Sequence, residues 1–169
     1  MPDFRNLLDV LLDSWDRNNT ILVNLLNVIP NSGWDLKVMP GSPSVAQMFS
    51  HIHYVRLVFL AEDAPEFAAQ KEFPQDEWAA ERDPQRMADL LNESASSVRG
   101  AVKEKIESAT EMNVHYDHPI LLLQHMIWHE GYHHGQIKLA LKFAGCPISN
   151  QQAGPLTWRV WMDKTSKSA

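Results

Sequence analysis

The chain has 169 residues, of which 44% are apolar and 21% are charged, and its net charge is −6. The length predicts one domain spanning residues 1–169, and the absence of Lys and Arg clusters excludes a typical nucleic-acid partner. No apolar run approaches the ~20 residues that cross a membrane, and no secretory signal is visible, so we expect a cytoplasmic protein.

Proline, glycine and capping residues predict where long helices begin and end. Asp3 caps a first amphipathic helix that continues to Ile29, and the segment 30–33 ends it. Ser42-Pro43 opens a second helix, which runs to about Asp63. Each of these two helices is followed by residues that favour turns.

Two further long helices follow in the second half of the chain. Asp83 and Pro84 open the third, which runs to about Ala109, and Pro119 opens the fourth, which ends near Gly145. Four helices of roughly 20 to 27 residues, with little strand-like alternation, predict an all-α fold, namely a four-helix bundle.

The connections and the C-terminal tail carry predictions of their own. Residues 30–42 and 64–83 are longer than usual helix joins, which predicts a crossover or a loop over the mouth of the bundle, with a short helix at residues 74–81. The tail, residues 155–169, contains Trp158 and Trp161, so we expect it to pack on the bundle or on a second subunit in a homodimer.

The segment His129-Glu130-Gly131-Tyr132-His133 places two imidazoles four residues apart, a spacing at which helical side chains share a face and bind one metal ion. Its letters match the HExxH signature of zinc metallopeptidases, in which the Glu is the general base. Those enzymes need a downstream ligand, and no Glu follows Glu130. A third ligand must therefore come from upstream, and it is not a thiolate cluster, because Cys146 is the only cysteine.

Helical phase separates the candidate ligands from the other histidines. At about 100° per residue, His129 and His133 fall in the apolar stripe of the fourth helix, His51 falls in that of the second, and His125 lies at a stripe edge. The remaining histidines are predicted on the surface or in loops: His53, His115, His118 and His134. A lone buried histidine is more often a hydrogen-bonded core residue than a ligand, but three together favour a divalent metal.

Two segments resemble the motifs of a known family. Residues 129–137, HEGYHHGQI, are similar to the HxxxH(R/H)GQ motif of the DinB/YfiT-like metalloenzymes, and residues 44–52, SVAQMFSHI, resemble the motif that carries the family's first metal-binding histidine. The resemblance covers residues 3 to about 162. It implies a four-helix bundle with an up-down-down-up crossover and a zinc or nickel ion held by His51, His129 and His133. Many members have Arg where this chain has His134.

Three classes of function remain open. Three imidazoles leave metal positions for water or substrate, and the family includes enzymes that use bacillithiol, mycothiol or glutathione. The resemblance therefore implies a metal-dependent thiol S-transferase or isomerase acting on a small molecule. The alternatives are an HExxH-type zinc metallopeptidase and a non-catalytic metal-binding stress protein. The catalytic candidates are Glu130 and Gln136. Glu130 points about 100° away from His129 and is expected at the surface or behind the metal ligands, and only the HExxH interpretation makes it the base; Gln136 is expected to line the site.

Overall fold

The computed structural model describes residues 7–162, and within this range the regular secondary structure is helical apart from one isolated bridge between Lys37 and Ser44. In chain order the helices are α1 (Leu7–Leu26), a 3-10 turn (Asn31–Gly33), α2 (Val45–Asp63), α3 (Pro65–Ala68), α4 (Pro84–Glu107), α5 (Pro119–Phe143), α6 (Asn150–Leu156) and α7 (Trp158–Met162). None of these described helices has the length and apolarity needed to cross a membrane. The prediction of an all-α fold is confirmed.

Three of the predicted helix starts lie in the described residues, and the structure agrees with two of them. α4 begins at Pro84, where the Asp83 carboxylate accepts the first free backbone N–H groups, and α5 begins at Pro119. The predicted start at Ser42-Pro43 is wrong. Ser44 caps α2 instead, because its hydroxyl accepts the backbone N–H of Gln47 while the Gln47 side chain accepts the N–H of Ser44. The predicted cap Asp3 lies outside the described residues.

The long connection before α4 differs from its prediction. Residues 74–81 form bends and turns instead of a short helix, and the short helix α3 lies earlier. Side chains take the hydrogen bonds that a helix would have made: Asp76 accepts the backbone N–H of Trp78 at 2.8 Å, and Ser50 accepts that of Glu81 at 3.0 Å. The hydrogen bond between Glu81 and Ser50 therefore attaches this connection to α2.

Two apolar clusters fill the interior, and both draw on all four long helices. One cluster includes Leu25, Phe49, Leu91 and Ile137. The other includes Leu12, Leu57, Val98 and Met126. A layer of buried polar residues separates the clusters along each helix: Asn18 and Asn19 in α1, Arg56 in α2, Ser94 in α4 and Glu130 in α5.

The described part of the tail packs against α1. The Asn24 amide donates to the carbonyl of Leu156 at 3.3 Å, and the Arg17 guanidinium donates to the carbonyl of Val160. The tail is expected to pack either on the bundle or on a second subunit. These contacts place its described part on the bundle of the same chain. Residues 163–169 lie outside the described residues.

Candidate metal centre

His51 from α2 meets His129 and His133 from α5. The Nε2 atoms of His51 and His129 are 3.2 Å apart, and those of His133 and His129 are 3.1 Å apart. One ring nitrogen from each histidine lies within 4.8 Å of the other two. The structure thus brings together the three histidines selected from sequence, and they could hold a metal ion.

Helix geometry accounts for this convergence. His129 and His133 are one turn apart on α5, so their rings lie on one face with centroids 4.6 Å apart. His51 enters from α2, with its ring centroid 5.1 Å from that of His129 and 4.9 Å from that of His133. The capping box at Ser44 fixes the start of α2, the helix that carries His51.

Burial keeps these imidazoles neutral. Burial, followed by the neighbouring His133 and His51, lowers the pKa of His129 to about 3. Burial and then His51 lower the pKa of His133 to about 4, and burial also lowers the pKa of His51. The rings are therefore unprotonated at pH 7, and neutral imidazole is the form that binds a metal.

Gln136 fixes the tautomer of His133. Its side-chain oxygen lies 2.8 Å from Nδ1 of His133, and its amide nitrogen donates to the hydroxyl of Tyr132 at 2.8 Å. Because an amide oxygen only accepts, Nδ1 carries the proton and Nε2 presents a lone pair to the cluster. Gln136, one of the catalytic candidates, therefore contacts a candidate ligand from behind.

The donor set fits a divalent transition metal. Nε2 of His129 lies within hydrogen-bond distance of both other Nε2 atoms, but one proton on it can serve only one of those contacts. A cation would satisfy all three lone pairs together. Imidazole nitrogens suit zinc and nickel equally, so the donor chemistry fits the implied group without choosing between the two.

The connection before α4 forms one wall of this centre. The indole of Trp78 stacks on the ring of His51, with centroids 4.0 Å apart and an interplanar angle of 5°. The carbonyl of Trp78 accepts the side-chain amide of Gln47 at 3.0 Å, and a carboxylate oxygen of Glu77 lies 3.4 Å from Nδ1 of His51. The long 64–83 connection thus lies against the site, as expected from its length.

Glu130 lies in the buried polar layer. The expectation that it lies at the surface is therefore wrong. It is 1% exposed, and its two carboxylate oxygens accept the Arg56 guanidinium at 2.6 and 2.9 Å. The Asn18 amide donates to the same carboxylate. A carboxylate that neutralises a buried guanidinium is not free to act as a base, which removes the chemical support for the peptidase alternative.

The family comparison agrees with the motifs. The sequence pattern of the DinB family matches residues 1–154. The chain belongs to the DinB family. No curated protein and no solved structure matches it. The DinB match includes α2 and α5, so all three clustered histidines lie in the part of the chain that defines the family.

Four of the five other histidines of this DinB protein have structural partners. His53, predicted at the surface, is 1% exposed, and its Nε2 lies 3.0 Å from the carbonyl of Glu72. The prediction is wrong because residues 72–81 fold over the second face of α2. His118 caps α5, His115 contacts the carboxylate of Asp63 at 2.8 Å, and His125 contacts the hydroxyl of Tyr116 at 2.8 Å.

Two residues near the centre were not among the predicted ones. Arg56 had a sequence signal, because it follows the buried Ile52 by four residues and is thus a charge on an apolar face. Trp78 had none, because its position beside His51 depends on how a loop folds back onto α2.

Proposed function

We propose that this protein is a metal-dependent enzyme in which His51, His129 and His133 bind one zinc or nickel ion. The observation that carries the proposal is the approach of one ring nitrogen from each of three neutral imidazoles to within 4.8 Å of the other two. When bound, such an ion supplies Lewis-acid chemistry that lowers the pKa of a coordinated water or thiol.

The reaction that we propose is transfer or isomerisation with a low-molecular-weight thiol and a small-molecule substrate. Three protein ligands, rather than the four of closed structural sites, leave coordination positions for such a group. The thiol must come from a cosubstrate, because the only cysteine, Cys146, is engaged elsewhere, with its Sγ 3.5 Å from the carbonyl of Leu141. Trp78 would then cover one side of the metal centre. Gln136 would hold His133 in the tautomer whose Nε2 is free to bind the metal.

A non-catalytic metal-binding stress protein is the second candidate. The observation that favours it is the parallel stacking of Trp78 on His51, which covers one face of a candidate ligand. A closed site predicts bound metal with no chemistry, whereas an enzyme predicts turnover that depends on the metal. The peptidase is not proposed, because Glu130 is paired with Arg56.

A thiol-conjugation assay separates these candidates. The purified protein, loaded with zinc or with nickel, is incubated with bacillithiol, mycothiol or glutathione and an electrophilic aryl chloride, and conjugates are measured by mass spectrometry. We expect conjugation with at least one thiol, lost in His51→Ala and in the metal-free protein. Stoichiometric metal without conjugation for any thiol would favour the non-catalytic role.

We also infer that the four long helices form a single up-down-down-up bundle. The support comes from the two apolar clusters. One cluster joins the C-terminal halves of α1 and α5 to the N-terminal halves of α2 and α4, and the other cluster joins the opposite halves. α1 and α5 would therefore share one direction, and α2 and α4 the other, with residues 64–83 as the crossover, because α2 ends at the end of the bundle opposite to the start of α4.

A homodimer is the final part of the proposal. The outer face of α5 carries large apolar side chains at helical spacing, including Trp128, Tyr132 and Phe143, which are 73%, 57% and 70% exposed. Monomeric proteins rarely leave a contiguous patch of this kind in water. A second copy of the chain that packs its own α5 against this face would cover the patch on both subunits.

A further inference from the structure

A row of basic side chains runs along α5 beside a groove. His134, Lys138 and Lys142 are spaced four residues apart, so they lie along one side of the helix. They line a groove of about 640 Å³, together with residues 147–150, Ala153 and Trp158. This groove does not include any residue of the histidine cluster.

The positive charge in this groove has no carboxylate counterpart among the residues that the structure describes. No carboxylate lines the groove, and neither Lys138 nor Lys142 forms an ion pair within residues 7–162. Other lysines of the chain do pair: Lys71 with Glu93, Lys103 with Glu107 and Lys105 with Glu66. Two lysines four residues apart repel each other, so on a protein of net charge −6 their unpaired placement favours an anionic ligand.

A polar atom of the same groove also lacks a partner. Nε2 of His134 is buried, and no hydrogen-bond partner for it is found in the described part of the chain. A buried nitrogen without a partner costs free energy in the unliganded protein. The row therefore offers two ammonium donors to the groove, beside a histidine whose buried hydrogen-bonding atom has no partner among the described residues.

Apart from Ser149 and Asn150, the rest of the groove is apolar. Leu139, Ile148 and Trp158 contribute apolar surface, and Trp158 is 49% exposed. At Gly135, which also lines the groove, an added Cβ would meet no atom within 4 Å. The groove volume lies within the ~300–1,000 Å³ of small-molecule sites.

We propose that this groove binds a small organic anion in which an aromatic or apolar body carries a carboxylate or a phosphate group. The lysines would contact the anionic group with charge-assisted hydrogen bonds, and the indole would pack on the body. This site is separate from the proposed metal centre and does not depend on a bound metal.

Nuclear magnetic resonance titrations of the metal-free, full-length protein test the proposal. Phenyl phosphate and benzoate are the anionic probes, inorganic phosphate tests the anion alone, and benzyl alcohol is the neutral analogue. We expect saturable shifts of the Gly135 and Ile148 amides and of the Trp158 indole N–H with an aromatic anion. The stronger of the two anionic probes identifies the group as carboxylate or phosphate.

Variants decide whether the groove is the site. The double substitution Lys138→Gln and Lys142→Gln should weaken binding by about tenfold or more, since it removes both ammonium donors from the groove. Gly135→Leu should block binding by filling the open space while the helix keeps its stability. The control is Lys37→Gln with Lys103→Gln, which removes the same charge away from the groove. Equal binding of benzyl alcohol, no saturable shift, or unchanged affinity in the Lys138 and Lys142 variant would overturn the proposal.

Discussion

Replacement of Glu130 by Gln tests whether this residue is a structural counter-charge or a catalytic base. Arg56 is 0% exposed and loses in this variant the only charged partner that it has among residues 7–162. Its remaining hydrogen bonds go to the neutral groups of Asn19, Leu91 and Ser94. Leaving one charge of a buried pair without its partner costs about 3–5 kcal/mol, a large fraction of the ~5–15 kcal/mol that stabilises a typical domain.

Urea denaturation, followed by circular dichroism, measures this loss. We expect Glu130→Gln to lower the free energy of unfolding by about 3 kcal/mol or more. Glu93→Gln is the matched control, because it removes an exposed partner of Lys71 and should cost less than about 1 kcal/mol. Arg56→Met combined with Glu130→Leu should be more stable than Glu130→Gln, because it removes both charges.

The opposite result would refute this reasoning. A general base that contributes no structural charge pair would leave the unfolding free energy of Glu130→Gln within about 1 kcal/mol of the parent. If that variant also abolished metal-dependent peptide hydrolysis while the metal stayed bound, the peptidase interpretation would be restored.

Three further outcomes follow from particular contacts. Gln136→Ala should weaken metal binding by about 10–100-fold, measured by competition with a chromophoric chelator, and an unchanged affinity would separate Gln136 from the site. Burial raises the pKa of Asp63, but hydrogen bonds from His115 and Val114 outweigh it and hold the pKa below 3.8. The stability that Asp63 adds over Asp63→Asn should therefore be full above pH 3.8 and shrink below it, and equal differences in urea midpoint at pH 7 and pH 3 would contradict this. Trp128→Glu should convert a dimer to a monomer in light scattering, and a parent that is already monomeric would remove the dimer proposal.

Local chemistry explains what could be predicted from the sequence. Pro84 and Pro119 begin helices because a proline at the first helical position loses no hydrogen bond, and both starts are confirmed. The convergence of His129 and His133 follows from their four-residue spacing on one helix. The side of α2 that bears His51 could also be read from its apolar neighbours.

Contacts between distant segments explain what could not be predicted. The helical phase correctly indicates that Glu130 points away from His129. It does not indicate that Glu130 forms a buried ion pair, because that depends on the position of Arg56 on another helix. His53 looked exposed because periodicity describes one buried face, whereas α2 is covered on a second face by residues 72–81. Ser44 replaced Ser42 as the cap because a side-chain partner, Gln47, lies three residues later.

The metal stoichiometry of the purified protein tests the central claim most directly. Zinc and nickel per chain are measured by inorganic mass spectrometry for the parent, for His51→Ala and for the control His134→Ala, whose ring is next to His133 in sequence but outside the cluster. We expect one metal ion per chain in the parent and in the control, and little in His51→Ala. Full metal content in His51→Ala, or none in a parent supplied with either metal, would contradict the account.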